Sequence, residues 1–196
     1  MYNVGIFLFN NVELLDFAGP YEVFSDVSEV YNDAMFHVFT VSEEGQEIKS
    51  VNGLKILPDF SFADHPRIDI LIIPGGEGTK SEIKKENVLK WVNSSCISSK
   101  MTMSVCSGAR LLGKLGFLDN IECTTHHEVI EDPKGIAPKA TVRTDKRFVS
   151  YDKISTSAGI SAGIDLSLFI IEKLCGSSVA NKVRVYMEYG DWEQFK

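Results

Sequence analysis

The sequence predicts an α/β fold in which a doubly wound, mostly parallel sheet is covered by helices on both faces. Apolar runs of strand length alternate along the chain with segments that show the 3.6-residue spacing of helices. The runs are nearly continuous in apolar residues, which is typical of strands buried on both faces. No Pro/Gly/Ser-rich linker or internal repeat interrupts the pattern, so we expect a single domain over residues 1–196.

The strongest strand candidates are nearly unbroken apolar runs, at residues 4–9, 36–41 and 68–73. A fourth candidate, residues 101–105, is shorter and less apolar, but it lies between a helical segment and a Ser-Gly-Ala helix start. Helical spacing predicts helices at about residues 18–30, 82–98, 108–115, 162–174 and 179–187. Asn52-Gly53 between two short apolar segments predicts a small antiparallel hairpin at one edge of the sheet.

The composition limits the kinds of binding partner and the cellular compartment that we expect for the protein. The formal charge is −7, and the basic residues are scattered rather than gathered into a stripe, so we expect no nucleic acid partner. No apolar run approaches the roughly 20 residues of a membrane helix, and the first residues lack the basic segment of a secretory signal. We therefore expect a cytoplasmic protein. The cysteines are widely spaced and form no C-x-x-C pair, so we expect free thiols and no metal: Cys96, Cys106, Cys123 and Cys175.

The segment SVCSGA, residues 104–109, has the form of a nucleophile elbow. An apolar strand turns at once into a helix through small residues, which leaves Cys106 on the turn. The N-terminus of the helix would place N–H groups and a partial positive charge beside the sulfur, which predicts a lowered pKa and a reactive thiolate. The N–H of Ser107 is then a natural donor to an oxyanion. The alternative is a small buried core cysteine, and the motif alone does not decide between the two.

A glycine-rich turn follows the apolar strand that ends at Ile73. Such a turn lets the backbone approach a ligand and offer its N–H groups. The segment lacks the lysine of a phosphate-binding loop, and no G-x-G-x-x-G accompanies it, so we expect no nucleotide cofactor, and no other cofactor is indicated. Gly75 and Gly76 are candidates for a second wall of an oxyanion hole, and the alternative is a turn that simply requires positive φ.

Three more positions fall near predicted strand ends. Asp16 could be the N-cap of the first helix, or a carboxylate facing the cleft, where burial against a thiolate would raise its pKa and let it transfer protons. His126 or His127 could activate the thiol, although a surface or capping role is commoner, and adjacent side chains diverge too much to form a metal site. Gly159 lies in residues 155–165, where a strand end passes through small residues into an amphipathic helix and can line the same cleft.

In this order, the segments resemble the ThiJ/PfpI superfamily of the class I glutamine-amidotransferase-like fold. Two segments look most like the isonitrile hydratase branch and related domains of some transcriptional regulators: LDFAGPYEVF and TSAGISAGIDL. The other segments that carry the resemblance are DILIIPGGEG, SVCSGARLLGKLGFLDN and CTTHHEVIED. The resemblance implies a flavodoxin-like, three-layer sandwich and a homodimer. The sequence supports the dimer only faintly, through Tyr21, Val23 and Phe24 in the first helix.

The resemblance also implies roles for individual residues. Cys106 matches the nucleophile of the family, and Asp16 matches the acidic residue that faces it in isonitrile hydratases. Gly75, Gly76 and Ser107 match the backbone of the oxyanion hole. A histidine directly follows the nucleophile in the protease-like branch, and here that position is Ser107, so we expect no peptidase. In isonitrile hydratases the position is usually threonine. Ser107 keeps the hydroxyl, which implies a catalytic role, but it lacks the methyl group, which leaves room for a different substrate.

His126 matches the histidine that lies near the cysteine in the Parkinson's-associated branch, and we expect it to line the substrate pocket with Gly159 and Phe17. The expected function is a cysteine-dependent hydratase or lyase acting on a small molecule, with an isonitrile as substrate and an N-substituted formamide as product. The alternatives are a glyoxalase or deglycase with His126 as base, and a redox or metabolite sensor. The chain stops at Lys196 without the DNA-binding helices of the regulator branch, so we do not expect a transcription factor.

Overall fold

The computed structural model of the protein describes residues 1–31 and 34–195. The strands are β1 (Tyr2–Phe7), β2 (Phe36–Ser42), β3 (Ile48–Lys49), β4 (Lys55–Ile56), β5 (Phe60–Ser61), β6 (Ile70–Ile73), β7 (Met101–Val105), β8 (Glu122–Cys123), β9 (Thr141–Val142), β10 (Phe148–Tyr151) and β11 (Ile154–Ser157). The α-helices are α1 (Leu14–Tyr31), α2 (Thr79–Glu82), α3 (Glu86–Ser98), α4 (Ala109–Lys114), α5 (Glu131–Ile136), α6 (Ala162–Cys175) and α7 (Ser177–Tyr186). Short 3-10 helices cover Cys106–Gly108, His127–Val129 and Trp192–Phe195.

The central sheet has seven strands in the order β10-β11-β7-β6-β1-β2-β5. Neighbouring strands run parallel, apart from the antiparallel pair β10 and β11. This confirms the predicted mostly parallel sheet. The predicted hairpin also forms, as the antiparallel pair β3 and β4, but the pair is a separate ribbon rather than part of the main sheet. It reaches the loop after β1 through a bridge between Val12 and Ser50.

Helices cover both faces of the sheet. The strand register places Ile6, Ile72 and Met103 on one face, and Val105, two residues after Met103, points the same way. Val105 lies against α6 at Gly163, and α6 packs on α1 and α7. Phe7 points to the opposite face, where its ring lies 5.5 Å from that of Trp91 in α3. Fully buried apolar side chains therefore fill the space on both sides of the central strands.

Several boundaries differ from the prediction. Helix α1 begins at Leu14 rather than near residue 18, so Asp16 lies inside its first turn and not at its N-cap. The helix predicted at residues 82–98 is divided into α2 and α3, because Lys85 has an extended backbone between them. Val23 and Phe24 are buried in the protein's own core, whereas Tyr21 is partly exposed, and the homodimer stays a prediction. Among the described residues, no helix is both long and apolar enough to cross a membrane.

Candidate active site

The loops after β1, β6 and β7 meet at the carboxyl edge of the sheet. The chain leaves β1 towards β2 on one side, whereas β6 and β7 lie on the other side, so a crevice opens between the ends of β1 and β6. Asp16 follows β1, Gly75 follows β6 and Cys106 follows β7. The N–H of Gly75 donates a 2.9 Å hydrogen bond to Asp16 Oδ2. The structure therefore brings together three residues that the sequence predicted to share a site.

Cys106 occupies a strained turn. Its φ is 57°, in the left-handed region that residues other than glycine rarely adopt. Two hydrogen bonds fix the turn: the Cys106 N–H donates to Ala158 O at 3.3 Å, and Thr125 Oγ1 donates to Cys106 O at 2.8 Å. A Cβ atom at Gly108 would collide with the backbone oxygen of Ile73, so the following turn needs a glycine. The geometry is that of the predicted elbow, with Cys106 at 8% exposure.

Asp16 is completely buried beside the cysteine. Its Oδ2 accepts the bond from Gly75, whereas its Oδ1 has no hydrogen-bond partner among the described residues. Burial raises the pKa of Asp16 to about 7, although the Gly75 N–H and the Cys106 thiol partly oppose the increase. The charge of Glu13 raises the pKa further. Near neutral pH, this carboxyl group can therefore both give and take a proton.

The predicted low pKa of Cys106 was wrong. Burial, together with the negative charge of Asp16, raises the pKa of the thiol to about 12. The Ser107 N–H and hydroxyl act in the opposite direction, but they are outweighed. When Asp16 is ionised, the shared proton therefore stays on the sulfur. The resting pair is a thiol next to a carboxylate that can remove its proton, as in nucleophiles activated by an adjacent base.

The two glycine N–H groups predicted to stabilise an oxyanion already have acceptors. The Gly75 N–H donates to Asp16, and the Gly76 N–H donates to Ser107 Oγ at 2.9 Å. Gly76 also has φ of 117°, so this turn does require glycine. The N–H of Ser107 faces the Cys106 sulfur and favours its thiolate form. In this arrangement, the amide beside the reacting sulfur is that of Ser107.

A buried polar network next to the elbow was missed in the sequence. Arg110 in α4 is only 3% exposed. Its Nη1 donates to Thr79 Oγ1 at 2.7 Å, and its Nε donates to Asp132 Oδ2 at 2.7 Å. Thr79 in turn lies 3.4 Å from Ser107 Oγ. The available signal was a single arginine in the otherwise small and apolar start of α4, because an arginine buried there needs several acceptors.

The residues predicted to line the pocket lie in different surroundings. The His126 ring packs on Gly159, where a Cβ atom would collide with it. His126 Nδ1 accepts a 3.2 Å hydrogen bond from the Glu128 N–H, which is the capping role. Both His126 and Gly159 line a cavity of about 300 Å³, together with Thr125 and Ala158, which contact the Cys106 backbone. Phe17 is instead buried in the hydrophobic core.

No group of three or more His, Cys, Asp or Glu side chains within residues 1–31 and 34–195 is arranged to hold a metal ion. The cysteines are all free.

The chain also matches a known protein family: the DJ-1/PfpI family model matches residues 2–173. The chain belongs to the DJ-1/PfpI family.

Members of the DJ-1/PfpI family with curated names include both enzymes and regulators. Isonitrile hydratase from Pseudomonas putida is 31% identical over 189 residues, which cover 95% of this chain and 78% of that protein. The HTH-type transcriptional regulator GbdR from Pseudomonas aeruginosa is 25% identical over 179 residues, or 91% of this chain. The match covers 48% of GbdR, so the chain spans about half the length of that regulator.

Two further similarities support the family and its fold. Glutathione-independent glyoxalase DJR-1.2 from Caenorhabditis elegans is 25% identical over 140 residues, which cover 70% of this chain and 73% of that protein. A crystal structure of a ThiJ/PfpI family protein from Pseudomonas syringae superposes with a TM-score of 0.86 at 25% identity, over 96% of this chain and 75% of that one. The DJ-1/PfpI fold is thus shared across relatives whose names point to different activities.

Proposed function

We propose that the protein is a cysteine-dependent isonitrile hydratase, which adds water to R–N≡C and releases the formamide R–NH–CHO. The observation that carries the proposal is the buried Asp16 carboxyl group, with a pKa of about 7, next to the Cys106 thiol. A proton-transfer group works best when its pKa is close to the working pH. The similarity to the isonitrile hydratase of Pseudomonas putida supports the class of substrate.

In the first half of the proposed reaction, the Asp16 carboxylate removes the proton of the Cys106 thiol. The sulfur forms a bond to the terminal carbon of the isonitrile, and Asp16 returns the proton to that carbon. The product is a thioimidate, R–N=CH–S–Cys106. The Ser107 N–H stabilises the thiolate as it forms, because it already faces the sulfur.

In the second half, Asp16 removes a proton from water while the water oxygen bonds to the thioimidate carbon, and Asp16 then gives that proton to the nitrogen. The resulting R–NH–CH(OH)–S–Cys106 collapses when the carbon–sulfur bond breaks. The electron pair returns to sulfur, the hydroxyl proton passes through Asp16 to the thiolate, and R–NH–CHO leaves. The buried Asp16 Oδ1, which has no partner among the described residues, is the atom that can hold this water.

The direct test is an assay of the purified protein with an alkyl isonitrile, with formamide measured as product. We expect Cys106→Ala to lower kcat at least about 10³-fold, and Asp16→Asn to lower it roughly 10²- to 10⁴-fold. The wild-type rate should rise with pH through about 7 as Asp16 ionises, and Asp16→Asn should lose this rise. Asp26→Asn is the matched control, because Asp26 is another buried carboxyl group in α1 with a pKa raised to about 6.

The outcomes separate the mechanism from the substrate. Undiminished turnover by Cys106→Ala would rule out the mechanism. No turnover of any alkyl isonitrile by the wild type would rule out the substrate class while leaving the Cys106–Asp16 pair as described. If Asp26→Asn also lost the rise of the rate with pH, there would be no reason to assign that rise to Asp16.

The geometry does not favour the two alternatives. His126 Nδ1 accepts from the Glu128 N–H, so in the neutral ring the proton lies on Nε2. That nitrogen is a donor, and the base that a glyoxalase needs is therefore not offered by His126 in this conformation. A redox sensor needs a solvent-accessible thiol with a low pKa, whereas Cys106 is only 8% exposed and its burial raises the pKa of the thiol.

A further inference from the structure

The turn after β6 contains two adjacent glycines, Gly75 and Gly76, which need outside contacts to keep one shape. Glycine adopts many backbone conformations at little cost, and Gly76 has a φ of 117°. The Gly75 N–H is nevertheless held 2.9 Å from Asp16 Oδ2. Since Asp16 Oδ1 has no hydrogen-bond partner within the described residues, the bond from Gly75 decides how the carboxyl group is turned.

The hydroxyl of Ser107 bonds to both polar backbone groups of Gly76. Ser107 Oγ accepts a 2.9 Å hydrogen bond from the Gly76 N–H and donates one of 3.2 Å to Gly76 O. The peptide unit that joins the two glycines also carries Gly75 O, which accepts from the Glu13 N–H at 2.9 Å. This peptide unit is therefore held at both ends. The single hydroxyl hydrogen of Ser107 is used on Gly76.

A second hydroxyl, that of Thr79, bonds to the same carbonyl oxygen. Arg110 can only donate hydrogen bonds, so Thr79 Oγ1 must accept the 2.7 Å bond from Arg110 Nη1. The hydroxyl hydrogen of Thr79 is then free, and its nearest acceptor is Gly76 O at 2.8 Å. The Asp132 carboxylate binds the other side of the Arg110 guanidinium group. Thr79 is thereby fixed as a donor to Gly76.

We propose that Ser107 and Thr79 are positioning residues, whose hydroxyls fix Gly76 so that the N–H of Gly75 stays bonded to Asp16. The Ser107 hydroxyl also packs against Gly75 itself, because a Cβ atom there would lie 2.8 Å from Ser107 Oγ. In this role the hydroxyl does not act on the substrate. The role rests on the proposed function only in taking Asp16 as the group that transfers protons.

The proposal has a consequence for the titration of Asp16. The Gly75 N–H favours the ionised carboxylate, so it holds the pKa of Asp16 below the value that burial alone would give. Losing this bond therefore moves the titration to higher pH. Damage that let water into the site would do the opposite, because burial is the main cause that raises the pKa of Asp16. The sign of the change thus separates lost positioning from a general structural disturbance.

The experiment follows the side-chain carboxyl carbon of Asp16 by NMR across a pH series, with the signal assigned by its absence in Asp16→Asn. The wild type should show a midpoint at about 7. In Ser107→Ala and in Thr79→Val, the midpoint should move up by roughly one pH unit, as expected for a lost hydrogen bond to a charged group. Thr79→Ser keeps the hydroxyl and should titrate with the wild type.

The Gly75 amide signal reports the hydrogen bond directly. In the wild type, the chemical shift of its proton should change as Asp16 ionises, because the acceptor gains a charge. This change should become smaller in Ser107→Ala and in Thr79→Val. Thr102→Val is the matched control, because Thr102 is also a fully buried threonine, with its hydroxyl bonded to that of Ser99 at the other end of β7. It should leave both signals as in the wild type.

A midpoint at or below the wild-type value in Ser107→Ala would overturn the role of Ser107, and the same result in Thr79→Val would overturn that of Thr79. An equal shift in Thr79→Ser and Thr79→Val would also overturn the role of Thr79, because Thr79→Ser retains the hydroxyl. If circular dichroism shows that one variant does not fold, the other still tests whether the turn positions Asp16. The titration contains no isonitrile, so a wild type without hydratase activity would reject the substrate and leave this test decisive.

Discussion

At the scale of single residues, Cys106 and Asp16 are two acids buried side by side that compete for one proton. Burial raises the pKa of both groups, but the carboxyl group ends at about 7 and the thiol at about 12. The proton therefore rests on sulfur above neutral pH, and the carboxylate is positioned to take it when an electrophile arrives. When the surroundings hold the pKa values of two neighbouring groups apart in this way, the group with the lower pKa acts as the base and the other as the acid. The N-terminus of the helix that follows Cys106, acting alone, would instead have lowered the pKa of the thiol.

The raised pKa of Asp16 also predicts a pH-dependent stability. The group ionises at about 7 when folded and near 3.8 when unfolded, so its contribution to stability is full below about 4 and is lost as the pH rises through 7. Asp16→Asn removes this loss. The free energy of unfolding of the variant, minus that of the wild type, should be roughly 2–4 kcal/mol larger at a pH of about 8 than at a pH of about 5. Urea unfolding at both pH values measures the change.

The same pair of measurements on Asp26→Asn provides the comparison. The pKa of Asp26 is raised to about 6, so the pH range over which its contribution to stability is lost should end at a lower pH than for Asp16. Parallel pH profiles for Asp16→Asn and the wild type would contradict the assignment of a raised pKa to Asp16.

At the scale of elements, the turn after β6 is packed against the other loops so closely that it admits no side chain. A Cβ atom at Gly75 would lie 2.6 Å from Ser107 N and 2.7 Å from Asp16 Oδ2. These are backbone and buried carboxylate atoms, which cannot move aside cheaply. The sequence predicted a glycine turn at this place. It could not show that Gly75 is needed because Asp16 and Ser107 approach it from other parts of the chain.

Gly75→Ala should therefore destabilise the protein by about 2–4 kcal/mol, since the added methyl group must displace Asp16 or the Ser107 backbone. Gly135→Ala in α5 is the control, because a Cβ atom there meets no described atom within 4 Å. Replacing an unstrained helical glycine by alanine should be neutral or stabilising, by up to about 1 kcal/mol. Urea unfolding measures both changes, and an equal effect of the two variants would argue against the close approach at Gly75.

At the scale of the whole molecule, the predictions that succeeded rest on local patterns. The apolar runs of β1, β2, β6 and β7 are visible in the sequence, and parallel strands bring their carboxyl ends to one edge, which is how Asp16 and Cys106 could be predicted to meet. The strands β8 and β9 are only two residues long, which is too short to show the pattern of apolar residues that predicts a strand. The Arg110 network and the pKa of Cys106 depend on burial by distant segments, which periodicity does not encode.

The last prediction concerns folding of the chain as one cooperative unit. Cys96 in α3 and Cys123 in β8 are both fully buried and belong to one continuous hydrophobic core. If the chain unfolds in a single step, brief labelling with a thiol reagent across a urea series should modify both cysteines with the same midpoint. Cys175, which is only half-buried, should react without urea and serves as the internal control. Different midpoints for Cys96 and Cys123 would mean that α3 and β8 belong to separate units, and that residues 1–196 do not form the single domain expected from the sequence.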